Sequence, residues 1–364
     1  MKLSNRKMVL ESLEDRLAPA ISAGVSNGLL SVRGFSSTGT IFLATTTNPG
    51  EITVSDGGTS FTATGVQSIN VALSGAPLAQ NVFLDLSAAG SAINGNVTID
   101  AGTAPGNSIT LQDNSDADFD IAGSVTLSRA LITSVASVDV LGNLSINNSQ
   151  YSLTNNVAQY FLSDAQVIGT LTVTGGLYGD NVSLTDVDIG GSARISLGGS
   201  TQTLANALTL DLDSTVAGSF AYSGGAGSNT ITLAGTLLAD ATISAGNGQN
   251  TVDFTSTGLV GRNLSITLGV GLGTGNVVGG TAFAGTVNGN LTISTGGGTS
   301  EINLGVTVNG SLASITMARG FNTLNLVPGL SITSGQMKVV MVRGGINTFN
   351  GNGVPISWPF SLYF

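Results

Sequence analysis

The sequence predicts an all-β chain wound as a right-handed parallel β-helix, a β-solenoid with coils of about 24 residues and a short N-terminal helix. Three observations predict it. A five-residue phrase recurs, made of a small residue, usually Gly, then any residue, an apolar one, Thr or Ser, and another apolar one. It reads Gly95-Asn96-Val97-Thr98-Ile99, Gly123-Ser124-Val125-Thr126-Leu127, Gly142-Asn143-Leu144-Ser145-Ile146, Gly169-Thr170-Leu171-Thr172-Val173 and Gly289-Asn290-Leu291-Thr292-Ile293, with weaker copies opened by Gly191, Gly218, Ala239, Arg262 and Gly310. Successive openers lie 19 to 28 residues apart. Within the phrase the apolar residues stand two apart around a hydroxyl, which is the period of a strand with one buried face. The composition agrees, because Thr, Ser, Asn, Val, Ile and 52 Gly suit short strands joined by tight bends, whereas a helical repeat needs Ala, Leu, Glu and Lys.

The elements fall in order along the chain. Residues 1–23 form a capping or sorting segment in which Leu10, Leu13 and Leu17 make an i, i+3, i+7 stripe that Pro19 stops. The apolar core Met8-Val9-Leu10 is too short for a standard secretory signal. The run Leu10-Glu11-Ser12-Leu13-Glu14-Asp15-Arg16-Leu17-Ala18-Pro19-Ala20 is similar to the N-terminal Leu-Glu-x-Leu-Glu-x-Arg motif of repeat-rich surface proteins of planctomycete bacteria. Ser12 stands where many members have Pro. The resemblance covers eleven residues and implies a sorting or anchoring tag and a cell-surface or extracellular destination; it carries no catalytic residues.

Residues 24–350 are the solenoid, with Asn27–Arg33 and Ile52–Gly58 as degenerate early coils. A second phrase reads Gly227-Ser228-Asn229-Thr230-Ile231, Gly248-Gln249-Asn250-Thr251-Val252, Gly320-Phe321-Asn322-Thr323-Leu324 and Gly345-Ile346-Asn347-Thr348-Phe349. Its glycine-rich form resembles the nonapeptide of calcium-binding β-rolls, but Asn occupies the position of the ligating Asp, which favours an Asn ladder bonding from coil to coil over calcium at that turn. Residues 351–364 hold Pro355, Trp358, Pro359, Phe360, Tyr363 and Phe364 and read as an aromatic plug over the last coil.

Composition narrows the chemistry. With no His and no Cys, Ser-His-Asp triads, thiol catalysis and ordinary zinc sites are excluded. Beyond Arg16 there are eighteen acidic and seven basic residues, so the body repels nucleic acid and anionic membranes. No apolar run is long enough for a transmembrane helix. Carboxylates remain. Asp118/Asp120, Asp186/Asp188 and Asp211/Asp213 are Asp-x-Asp pairs whose period sends both side chains outward. Counted back from the next phrase, Asp118, Asp164, Asp186 and Asp213 stand five residues before the opener, and Asp120, Asp139 and Asp188 three before. Stacking would gather them into an acidic stripe, with Asp118, Asp120, Asp164, Asp186, Asp188 and Asp213 as candidate ligands and Ca²⁺ as the candidate cofactor.

Paired acids on a β-helix also resemble the clefts of pectinase-like glycoside hydrolases, which makes a polysaccharide hydrolase or lyase using Asp186, Asp188, Asp211 or Asp213 the alternative. Its lack of basic and aromatic partners argues against it. The outward row Thr98, Thr126, Ser145, Thr172, Thr242, Ser265 and Thr292 forms a hydroxyl face. The expected function is therefore non-catalytic, a structural or adhesive surface rod holding a polysaccharide, a cell-surface protein or its own copies by many weak contacts.

Overall fold

The computed structural model describes residues 21–36, 38–74, 78–88, 92–115, 120–150, 156–199, 204–354 and 359–363. Among them every regular element is a strand. Parallel coils of about 24 residues stack into a β-solenoid of about 11 turns. Through the middle of the stack each coil contributes to three ladders of parallel strands, which serve as three sheets. The first runs through the repeat phrases, from Leu29–Gly34 through Val97–Asp100, Leu144–Asn147 and Leu264–Leu268 to Gln336–Met341, and totals fifteen strands with its end pieces. The second includes Ser108–Gln112, Ile132–Ala136, Asn206–Leu210 and Asn229–Leu233. The third is a ladder of two-residue strands such as Asp139–Val140, Thr215–Val216 and Thr307–Val308. Two long strands, Ala158–Val167 and Asp180–Ile189, serve the second and third sheets in one piece, bending at Asp164 (φ 48°) and Asp186 (φ 54°). Ser137 (φ 54°) makes the same left-handed corner one coil earlier.

Four of the five positions of the repeat phrase have a direct physical reason in the stacking. The opener is small because successive openers stack backbone on backbone: a Cβ on Gly142 would lie 2.5 Å from the carbonyl oxygen of Gly123, and one on Gly191 2.4 Å from that of Gly169. Amide-to-carbonyl bonds of 2.8–3.1 Å join these openers from Gly123 to Gly218 and again from Arg262 to Gly310. At Ala239 and Arg262 no such bond reaches the preceding opener among the described residues, and there side chains are tolerated. The second position is an outer ladder: Asn96 Oδ1 accepts from the Ser124 amide at 2.8 Å, the Ser124 hydroxyl oxygen from the Asn143 amide at 3.1 Å, and Asn143 Oδ1 from the Thr170 amide at 2.8 Å. The third and fifth positions fill the core. In one file Ala193 and Ala241 flank the bulky Phe220, which keeps volume constant along the stack.

The Asn ladder stands between the first and second sheets. Asn206, Asn229, Asn250 and Asn276 are fully buried, and each Nδ2 donates to the next Oδ1, at 3.0, 2.8 and 2.8 Å. Asn322 donates to Asn347 at 2.8 Å. Between these runs Ser300 takes the ladder place, too short to bridge, and both its hydroxyl and Asn322 Oδ1 are left without a partner. Earlier in the stack Asp180 holds the equivalent register, accepting from the Tyr160 hydroxyl at 2.9 Å and the Gly176 amide at 3.2 Å. Burial raises its carboxyl above the ordinary range.

The ends differ from the expected degenerate coils. Leu29–Gly34 does join the first sheet in parallel, but Ile21–Ser26 folds back on it antiparallel. Ile52–Asp56 lies antiparallel between Thr40–Thr45 and Thr59–Ala63. Antiparallel strands at this end break the parallel pattern that the next coil would extend. At the other end Phe360–Tyr363 adds a strand to the first sheet, with Phe349 and Phe360 rings 5.5 Å apart. The N-terminal helix over Leu10–Leu17, and Pro355, Trp358 and Phe364 of the plug, lie outside the described residues.

Candidate functional site

Two surfaces carry the polar residues singled out by the sequence. The first is the outer face of the first sheet. Thr98, Thr126, Ser145, Thr172, Thr242, Ser265 and Thr292 stand in one file, with Arg194 and Ala221 between Thr172 and Thr242. Adjacent strands of a sheet lie about 4.8 Å apart, and residues two apart in a strand about 7 Å apart. A second outward file, through Ser128, Thr174, Ser223 and Thr267, runs beside the first. These residues stand just beyond the repeat phrase, so the phrase does not reveal them, while the strand period places them outward.

The second surface is the corner between the second and third sheets. Coil stacking places several of the expected acids here, among them Asp164, Asp186 and Asp188. Asp164 and Asp186 occupy the same left-handed corner on neighbouring coils, and Gln166, Asp188 and Thr215 stand in one register on the third sheet after Asp139. Ser137 donates its hydroxyl to Asp164 at 3.0 Å, and the Asp186 amide donates to Asp211 at 3.1 Å. Asp211 also accepts from the Ser214 hydroxyl at 2.6 Å, so it caps the turn, while Asp213 remains exposed. Partial desolvation at this crowded corner, then the carboxylates of Asp164, Asp213, Asp211 and Asp188, raise the exposed Asp186 carboxyl above its ordinary value. Asp118 lies outside the described residues.

Asp120 departs from expectation. It is not an outward ligand: it is 3% exposed, against Asp113 at 2%, and accepts the Asp139 amide at 2.9 Å. Its side chain lies against the Asp113 carboxyl instead of facing solvent. Burial, joined by the hydrogen bond and charge of Asp113, pushes its carboxyl up to about 7.

The two ion pairs among the described residues lie elsewhere. Arg129 grips Asp100 with two nitrogens at the edge of the first sheet, and Arg262 faces Asp240 at 4.0 Å. Thus no described cation neutralises the acidic corner. Among the described residues no three acids converge in a group suited to holding a metal ion. The corner is a line of carboxylates along the rod, whereas a metal ion needs several oxygens around one point.

No protein-family model matches the chain, and no curated protein or solved structure matches it either.

Proposed function

We propose that this protein is a non-catalytic surface rod, an adhesive or structural β-solenoid that holds glycans, other surface proteins or its own copies through the long polar face of the first sheet. One observation carries the reading: two files of outward side chains, mostly hydroxyls, run unbroken in register along that sheet. Each such hydrogen bond contributes about 1 kcal/mol net, so affinity comes from repetition on a rigid support and not from a deep pocket. The N-terminal motif supports an extracellular or cell-surface address for a bacterial protein of this kind. The winding we propose is right-handed, the hand taken by nearly all strand-crossover-strand connections.

The test is incubation of residues 21–364 with calcium on acidic and neutral polysaccharides, following new reducing ends or unsaturated products. The expected result is no product over hours at high protein concentration. Product formation would overturn the reading and make Asp186, Asp188, Asp211 and Asp213 the first residues to substitute.

A further inference from the structure

The outward face of the first sheet is most regular over four consecutive coils. In one file Thr242, Ser265, Thr292 and Ser314 alternate; in the file two residues further along each strand the alternation runs in the opposite phase, from Ser244 to Thr316. The result is a checkerboard of eight hydroxyls, with Thr methyls and Ser gaps exchanging places. None of the eight bonds to another protein group among the described residues. The sheet pairs without a register shift through all four coils, while the second sheet loses register over the same stretch between Gly248 and Asn250, between Gly271 and Asn276 and between Val278 and Phe283. The window holds no charge, although the chain carries a net charge of −10; the nearest charges in the first file are Arg194 and Lys338, outside it. Beside it, on the turn leaving these strands, lies a cleft of about 390 Å³ lined by Asn247, Gln249 and Leu272 among others.

We infer that this window docks on the packed face of an insoluble, uncharged polysaccharide. The inference rests on the adhesive reading above and names its partner. An uncharged hydroxyl lattice on an acidic body matches a neutral partner and leaves the body's charge to repel polyanions. A rigid regular array returns many weak bonds only if the partner is also rigid and regular, because a flexible soluble chain loses its own freedom on binding. The amides of Asn247 and Gln249 beside the Leu272 side chain give the margin an orienting polar and apolar pair suited to a sugar ring.

The experiment is co-sedimentation of the full chain with microcrystalline cellulose as the packed neutral solid, with soluble dextran and heparin as competitors. Retention on cellulose, little affected by either competitor, is expected. The quadruple variant Thr242→Val, Ser265→Ala, Thr292→Val, Ser314→Ala should lose about tenfold in retention with an unchanged circular dichroism spectrum and melting temperature. The double variant Thr209→Val, Thr232→Val on the second sheet should bind as wild type. Equal retention of the quadruple variant would overturn this inference while leaving the adhesive reading in place through another surface. Failure of the wild type to sediment with cellulose, loss of retention to heparin, or shaping of growing ice crystals without cellulose retention would each overturn it.

Discussion

Asp120 shares its buried place with Asp113, and burial with that neighbour raises its carboxyl to about 7, from the ordinary 3.8 of the unfolded chain. Between those two values the native state keeps a proton that the unfolded chain has released, so its contribution to stability, full below pH 3.8, is lost as pH rises to about 7. Asp120→Asn keeps an oxygen for the Asp139 amide and removes the charge. It should raise stability at pH 8 by on the order of 1 kcal/mol after allowing for solvent screening, and change little at pH 4, as read by urea denaturation at the two pH values. Ser300 offers a second single-residue test. Its own hydroxyl and Asn322 Oδ1 are buried and unpaired at the one break between the two Asn runs. Ser300→Asn would let its Nδ2 donate to Asn322 and its Oδ1 accept from Asn276, so stability should rise by about 1 kcal/mol. A fall in the denaturation midpoint would show that the gap cannot hold an amide.

A coil is limited by how closely its backbone stacks on the last one. Gly191 shows this most directly, because its missing side chain is the space occupied by the Gly169 carbonyl, and its amide bonds to that same oxygen at 2.9 Å. Gly191→Ala must therefore push two coils apart at one corner. It should cost about 1–3 kcal/mol, the range of an overpacked interior, despite lying on the surface. Ala substitution at Gly199, where nothing among the described residues lies within 4 Å of an added Cβ, is the matched control and should be nearly neutral by thermal denaturation. The outer Asn and Ser ladder belongs to this scale as well. Residues that look like glycosylation sequons at Asn96, Asn143 and Asn290 accept hydrogen bonds from the next coil and hold the corner in register.

On the scale of the whole rod, the acidic corner is confined to the coils between Asp139 and Asp213, with no described cation between its carboxylates. Neighbouring strands place such carboxylates about 5 Å apart, where repulsion is screened only by salt. Raising NaCl from 0.01 M to 1 M shortens the screening length from about 30 Å to about 3 Å, so the melting temperature should rise. Calcium chloride at matched ionic strength separates screening from binding. A calcium-specific increment that disappears in Asp186→Asn with Asp213→Asn would establish a cation site; equal melting temperatures in the two salts would reduce the corner to a solvated acidic face.

The solenoid was legible in the chain itself because each coil repeats one local solution: Val97 and Ile99 inward, Thr98 outward, Gly95 at the turn. The Asn ladder was equally legible at Asn229 and Asn250, where the spacing is regular, but Asn276 was hidden by the inserted turn from Gly271 to Gly275, and Asn206 by the lack of its phrase. What a local pattern does not contain is which residues meet across coils of unequal length. Period 2 alone sends Asp120 outward, whereas it is buried against Asp113; Asp211 caps the turn at Ser214 while Asp213 is exposed. The sequence by itself determined the strand period, the inward and outward faces and the need for glycine at the corners, because these depend on neighbours one or two residues away. Only the tertiary structure decided the coil-to-coil partners of the acids, the break at Ser300 and the unbroken hydroxyl checkerboard, because each depends on the register between residues about twenty or more positions apart.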